Sequence, residues 1–171
     1  MRSERGPNPG VYALVAVGGL WISAGLEDAL APPLAIYGVS PDFLLIFLAC
    51  LSPIGSRMQG ASVGFAAGAL QGALAGANLM HYAISRSVTG LLAAWSSEMR
   101  LQANPLLGLF TTMLVTVIAR LLFLFLAPSP NLLGYLGATI GSATYNGVLA
   151  VPLYWLLNRI FDSPRRESWN R

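Results

Sequence analysis

The chain has 171 residues, of which 55% are hydrophobic and only 10% charged, and its mean hydropathy is +0.62. A water-soluble domain of this size needs more polar surface than this composition supplies, so we predict an integral membrane protein. One cysteine, one histidine and no lysine exclude a disulfide, a Cys/His metal cluster and lysine-based chemistry within one chain. We therefore expect no cofactor and no enzymatic activity.

Six apolar runs are long enough, or nearly so, to be membrane-spanning helices, which need roughly 20 residues each. They lie near residues 11–30, 41–56, 60–79, 80–97, 105–127 and 132–160. The runs are continuously apolar, whereas the strands of a membrane β-barrel alternate over about ten residues. The sequence therefore predicts an all-α bundle of six transmembrane helices in one domain, residues 1–161, followed by a short polar tail, residues 162–171.

The arginines predict the orientation of this bundle. All ten basic residues are arginine, and eight of them fall on one side of the membrane. They are Arg2, Arg5, Arg57, Arg100, Arg159, Arg165, Arg166 and Arg171. The positive-inside rule then places both termini in the cytoplasm and turns Glu27 and Asp28 outward. Arginines at helix ends suit an anionic lipid surface, so we expect membrane lipid and no nucleic acid as a partner.

The second run has a typical helix start. In Ser40-Pro41-Asp42, the serine is a capping residue, the proline suits a first turn, and the carboxylate suits the positive end of the helix dipole. This predicts Asp42 at the outer interface. Between the fifth and sixth runs, Pro128 and Pro130 predict a break in the chain.

The third run carries a ladder of glycines four residues apart. The ladder consists of Gly60, Gly64, Gly68, Gly72 and Gly76. Helices in lipid associate by close packing, and small residues let two backbones approach. Each step of four residues advances about 40° around a helix, so five glycines wind through about 160°. We expect a central third helix with at least two neighbours, since one helix does not cover that arc; a backbone surface for a ligand or partner is the alternative.

The ladder also contains a motif that imitates an enzyme. Residues 60–64 match the GxSxG elbow of serine hydrolases around Ser62. That elbow needs a strand before the serine, and His81 is 19 residues further on, about 28 Å along a helix. We reject a catalytic serine on this geometry.

Two arginines lie at membrane depth. Arg86 and Arg120 are in the outer halves of the fourth and fifth runs, where an arginine usually faces protein or water and has a partner. We predict an outer polar cluster that consists of Asp42, Gln71, His81, Arg86 and Arg120. Arg120 with Asp42 is the favoured pair, and Glu27 and Asp28 are the other carboxylates nearby. The alternative is that each arginine extends to the outer interface by itself.

The sixth run is too polar for a helix that faces lipid. It contains Thr139, Ser142, Thr144, Tyr145 and Asn146, so we expect it to be buried in the bundle. Asn146 is able to hydrogen-bond across helices. Pro152 should kink the helix and free a carbonyl. We therefore assign Tyr145, Asn146 and Pro152 to helix-packing or partner interfaces.

Between about residues 41 and 159 the chain resembles the bacterial rod shape-determining protein family MreD. The resemblance depends on the order and spacing of three stretches: Pro41-Asp42, Gly64-Phe65 with the following ladder, and Tyr145-Asn146 with Pro152 and Arg159. It implies a non-enzymatic scaffold in the bacterial inner membrane that binds MreC and, through it, links MreB filaments to the peptidoglycan synthase and transpeptidase pair. Many members have an aspartate where this chain has Gly72, and Pro53 interrupts a second helix that is usually longer.

A second family has the same predicted architecture. MreD-like proteins are similar to the substrate-binding subunits of energy-coupling-factor vitamin transporters, which are also six-helix bundles with a site near the outer face. Such a subunit would hold a vitamin with Gln71, His81, Arg86 and Arg120. Bound ligand distinguishes the two functions.

Overall fold

A computed structural model of the chain describes residues 8–96 and 105–162. Within them are six α-helices: α1 (Pro9–Leu30), α2 (Phe43–Leu51), α3 (Arg57–Ala75), α4 (Leu79–Trp95), α5 (Pro105–Leu126) and α6 (Leu132–Asp162). The described residues form no strand, so the all-α prediction is confirmed. Beyond Asp162, the predicted polar tail lies outside the described residues, as do all the predicted inner arginines except Arg57 and Arg159.

Two of the described helices are long and apolar enough to cross a membrane by themselves. These are α1, Pro9–Leu30, and the stretch Gly108–Leu126 of α5. Each covers about 30 Å at 1.5 Å per residue, which matches the hydrocarbon thickness of a bilayer.

The second helix is shorter than predicted. It runs for nine residues and continues as a 3₁₀ turn, Ser52–Ile54, because Pro53 has no backbone N–H for a regular helical bond. Every residue from Leu44 to Leu51 is buried. The second segment is therefore shorter than the predicted run 41–56, and it is apolar all round because it lies inside the protein.

The start of α2 also differs from the prediction. The capping residue is Asp42, whose side chain accepts a hydrogen bond from the Leu45 N–H, and not Ser40. Pro41 precedes the cap. Asp42 is buried and does not lie at an open interface.

Both ends of α3 have clear local causes. Ser56 and Gln59 form a reciprocal capping box at its start, for which the spacing S-x-x-Q is the sequence signal. At its end, Gly76 takes a left-handed conformation with φ of 64°, which glycine adopts at little cost. Gly76 thus terminates the helix, and its assignment to the packing ladder is wrong.

A single helix, α4, covers the other four ladder glycines. A Cβ built on Gly60 would lie 2.5 Å from the Gly90 carbonyl oxygen, and one on Gly72 would lie 2.5 Å from the Leu79 Cα. Gly64 and Gly68 contact the α4 backbone at Arg86 and at Tyr82–Ala83. The expectation that one helix does not cover the ladder is wrong, because the antiparallel α4 winds with the groove.

The centre of the bundle is α2, not α3 as expected. The short helix contacts all five other helices, whereas α3 packs chiefly on α4 and touches α1 and α2 along its other side. The helices α5 and α6 form a second close pair. An apolar α2, buried from Leu44 to Leu51, therefore connects two helix hairpins, α3–α4 and α5–α6, and contacts α1.

Many polar side chains lie inside this bundle beside the apolar α2, and many large apolar side chains lie on its surface. Leu14, Phe125 and Leu133 are between 75% and 87% exposed. Among the fully or nearly fully buried residues are Ser23, Ser85, Thr89, Thr112, Thr116, Thr139, Ser142 and Asn146. This arrangement differs from that of a typical water-soluble protein, in which so many serine, threonine and asparagine side chains are seldom buried and large hydrophobic side chains seldom cover the surface.

Candidate functional site

A cavity of about 220 Å³ opens at the end of the bundle opposite the N-terminus of α1. At this end α1, α3 and α5 finish, and α2, α4 and α6 begin. We call it the polar cavity; its lining residues are Glu27, Ser40, Pro41, Asp42, Gln71, Tyr82, Ser85, Arg86, Ala119, Arg120, Phe123 and Tyr135. All six helices or their caps contribute to this lining.

Asp42 connects three helices on one wall of the polar cavity. Its Oδ2 forms an ion pair with the Arg86 guanidinium, and both side chains are nearly inaccessible to solvent. Its backbone N–H donates to Asn146 Oδ1 at 3.0 Å. Asp42 thus links α2, α4 and α6 at one point. The favoured pair of Asp42 with Arg120 is wrong: the carboxylate pairs with Arg86, which enters from the helix packed beside it.

Glu27 joins three further elements. It lies in the last turn of α1, where Oε2 accepts from the Phe43 N–H at 2.6 Å and Oε1 accepts from Gln71 Nε2 at 3.1 Å. The side chain points inward and connects α1 to α2 and α3. Asp28, the next residue, is exposed and does not line the polar cavity.

Arg120 forms the opposite wall. Its guanidinium carbon lies 5.9 Å from the centre of the Tyr135 ring, and the Tyr135 hydroxyl donates to the Arg120 carbonyl oxygen at 2.8 Å. In the described part of the chain, no carboxylate lies within ion-pairing distance of Arg120. Tyr82 and Phe123 line the same cavity, with ring centres 4.5 Å apart and ring planes tilted by 36°. The cavity therefore combines one closed ion pair with one arginine that has an aromatic neighbour only.

The structure brings together four of the five residues predicted for the outer polar cluster. Asp42, Gln71, Arg86 and Arg120 line the polar cavity, and His81 does not. His81 lies in the first turn of α4 at the same end of the bundle. Glu27, predicted only as one of the other carboxylates near this cluster, lines the cavity as well. The sequence contains no signal for Tyr82, Phe123 and Tyr135, because an aromatic residue in an apolar run does not reveal the direction of its side chain.

The three residues assigned to α6 contacts have different surroundings. Asn146 is fully buried and also donates from Nδ2 to Thr116 Oγ1 at 3.3 Å. The Tyr145 hydroxyl donates to the Leu34 carbonyl at 3.1 Å. Pro152 is exposed on a helix that continues past it, so it does not lie in a helix-packing interface, and its alternative assignment to a partner interface stays a prediction.

The other end of the bundle carries arginines on aromatic rings. The guanidinium carbon of Arg57 lies 5.4 Å from the Trp95 ring centre, and that of Arg159 lies 5.3 Å from the Trp155 ring centre. Amphipathic aromatic rings and arginines are enriched at membrane interfaces.

No group of three potential metal ligands occurs in residues 8–96 or 105–162. The Ser62 hydroxyl is hydrogen-bonded to the Met58 carbonyl within α3.

Comparison of the chain with models of protein families, with curated proteins and with solved structures finds no match, so its function is inferred from its residues and their geometry.

Proposed function

We propose that the chain is a multi-pass protein of the bacterial inner membrane with both termini in the cytoplasm. The distribution of side chains carries this proposal: buried serine, threonine, asparagine and one ion pair, surrounded by exposed leucine, phenylalanine and tryptophan. Lipid tails favour this arrangement, and water does not. Besides α1 and α5, the helices α3, α4 and α6 of 19, 17 and 31 residues cross with their polar faces turned inward. The short α2, continued by its 3₁₀ turn, makes the remaining crossing in the interior of the bundle.

The orientation predicts which cysteines an impermeant reagent labels. Tyr37, fully exposed between α1 and α2, lies outside, and Met58, exposed in the first turn of α3, lies at the cytoplasmic end. In intact cells we expect a membrane-impermeant maleimide to label Tyr37→Cys and to label Met58→Cys only after lysis. The native Cys50 is buried and serves as the unlabelled background. Labelling of Met58→Cys in intact cells would show that the orientation is the opposite of the one proposed.

Within that membrane, we propose a non-enzymatic scaffold of the MreD type, a subunit of the cell-elongation complex that binds MreC and couples MreB filaments to peptidoglycan synthesis. The residues on which the resemblance depends support this proposal, because they form contacts between helices. Asp42 and Asn146 are hydrogen-bonded to each other, and Gly64 and Gly68 hold α4 against α3. Residues used for helix assembly suit a protein that positions partners.

Gly72, where many MreD sequences have an aspartate, is in contact with the α4 backbone at Leu79. A carboxylate has no room at that position in this chain. Instead, the carboxylate of Glu27 on α1 accepts a hydrogen bond from Gln71, the residue before Gly72 on α3. We propose that Glu27 takes over the function of that family carboxylate.

Photo-crosslinking in the native host tests the scaffold function and finds the docking face. Because α4 covers four of the ladder glycines, a partner must use other surface. A photoreactive phenylalanine derivative at Trp21, Phe65, Phe125 and Trp155 replaces exposed aromatic residues on four helices. We expect a covalent adduct with MreC from one of these faces, with the other faces as internal controls. Two results together would refute the function: the protein is intact but forms no such adduct, and neither MreC nor the synthase co-purifies with it.

The polar cavity favours a second function, the vitamin-binding subunit of an energy-coupling-factor transporter. Its lining by Gln71, Arg86 and Arg120 supports this function, whereas its volume of about 220 Å³ is smaller than the roughly 300–1,000 Å³ of most ligand pockets. Native mass spectrometry of the protein purified in mild detergent separates the two. A retained vitamin or an ATPase coupling module would favour transport over the scaffold.

A further inference from the structure

We propose that the polar cavity binds a small zwitterion, a group that carries a primary ammonium and an oxyanion a few bonds apart. Two sources supply this chemistry: the headgroup of an ethanolamine phospholipid, or a free molecule such as O-phosphoethanolamine. The lipid form of this inference rests on the proposed membrane location, and neither form rests on the scaffold function.

The charges around the cavity favour a zwitterion over a simple anion. Asp42 and Arg86 neutralise each other in their ion pair. What is left is one carboxylate, Glu27, and one guanidinium, Arg120; in the described residues neither forms an ion pair, and both line the cavity. A ligand with one positive and one negative group satisfies both without leaving a net charge at this depth.

The buried hydrogen-bonding atoms that lack partners also require one donor and one acceptor from a ligand. Gln71 Oε1 is a buried acceptor without a partner, and Gln71 lies beside Glu27, to which it donates from Nε2. An ammonium N–H is the donor that this side of the cavity lacks. Arg86 Nε is a buried donor that has no partner among the described residues, on a side chain with a relative exposure of 5%. An oxyanion is the acceptor that this side lacks, and an unmet buried polar atom costs about 1–3 kcal/mol in general.

The position and size of the cavity suit a headgroup. Tyr82, Arg120 and Tyr135 are each partly exposed, so the cavity is open to the surface of the bundle. Its volume of about 220 Å³ holds a compact polar group. The rings of Tyr82, Phe123 and Tyr135 form one side, where they are able to contact the methylene groups of such a ligand.

Lipid competition tests the inference directly. The purified, delipidated protein is placed in nanodiscs of equal parts phosphatidylethanolamine, phosphatidylglycerol and phosphatidylcholine, and retained lipid is measured by native mass spectrometry. In a second arm, thermal stability in detergent is measured with O-phosphoethanolamine or with inorganic phosphate. The variants are Glu27→Gln and Arg120→Gln, and the matched control is Arg159→Gln, an arginine on an aromatic ring at the other end.

Selective retention of phosphatidylethanolamine, reduced roughly ten-fold in Arg120→Gln and Glu27→Gln but not in Arg159→Gln, supports the lipid headgroup. Stabilisation by O-phosphoethanolamine without lipid selectivity supports the free zwitterion. Equal retention of phosphatidylglycerol, or equal stabilisation by inorganic phosphate, refutes the ammonium half. Equal retention of phosphatidylcholine, which has no ammonium N–H, refutes the hydrogen bond to Gln71. Binding of no probe refutes the inference as a whole, and Arg120→Gln decides if Glu27→Gln does not fold.

Discussion

Asp42→Asn and Arg86→Met are each expected to lower the free energy of unfolding by about 3–5 kcal/mol, because either change leaves a buried charge without its partner. The asparagine keeps an acceptor for the Leu45 N–H, so its effect reports the lost charge more than the lost helix cap. The double variant should be less destabilised than either single one, since it removes both charges. Unfolding in a fixed detergent, monitored by tryptophan fluorescence, supplies the four free energies of this cycle.

A second cycle provides the control for that pairing. Arg120 lines the same cavity and carries the same charge as Arg86, but it contacts Tyr135 rather than a carboxylate. Asp42→Asn and Arg120→Met should therefore be additive to about 0.5 kcal/mol, while the Asp42–Arg86 coupling should lie at or above the top of the roughly 0.5–3 kcal/mol range of interacting residues. Equal coupling in both cycles would contradict the assignment of Arg86 as the partner of Asp42.

Gly68→Ala is expected to destabilise the protein even though alanine is the better helix former by about 1 kcal/mol. A Cβ at this position would lie 2.6 Å from the Ala83 Cα. The atoms that it meets belong to the α4 backbone and have no rotamer to change. The two helices must separate along the hairpin, at a cost of about 1–3 kcal/mol or more. Gly68→Leu should then prevent accumulation of folded protein, as judged by fluorescence-detected size-exclusion chromatography.

Ala73→Leu is the matched control on the same helix. Ala73 is exposed, five residues beyond Gly68, so the larger side chain points away from α4 and the stability should change little. If Gly68→Ala instead raised the melting temperature, helix propensity would exceed the packing cost, and the close approach of α3 and α4 would be wrong. The result would separate packing within the chain from partner docking, because it is measured on the isolated protein.

The local sequence determined the number, type and approximate position of the helices. Apolar runs, with proline and glycine between them, indicate helices irrespective of their neighbours, and the break at Pro128 and Pro130 is present between α5 and α6. The same reasoning placed Asp42, Gln71, Arg86 and Arg120 at one end of the bundle, since helix direction alternates along the chain. It failed for the length of α2, because a buried apolar helix and a lipid-facing one have the same composition.

The tertiary structure alone decided which of these residues meet. Asp42 and Arg86 are 44 residues apart, and Asp42 and Asn146 are 104 apart, so their contacts depend on which helices are neighbours and on how each is rotated. Glycine spacing predicted a close contact for α3 but not that α4 alone would cover it, because that required α4 to wind with the groove. Local propensity thus determined the elements and the end of the bundle that carries the polar residues. The packing around α2 decided that, among the described residues, Arg86 has a carboxylate partner and Arg120 has none.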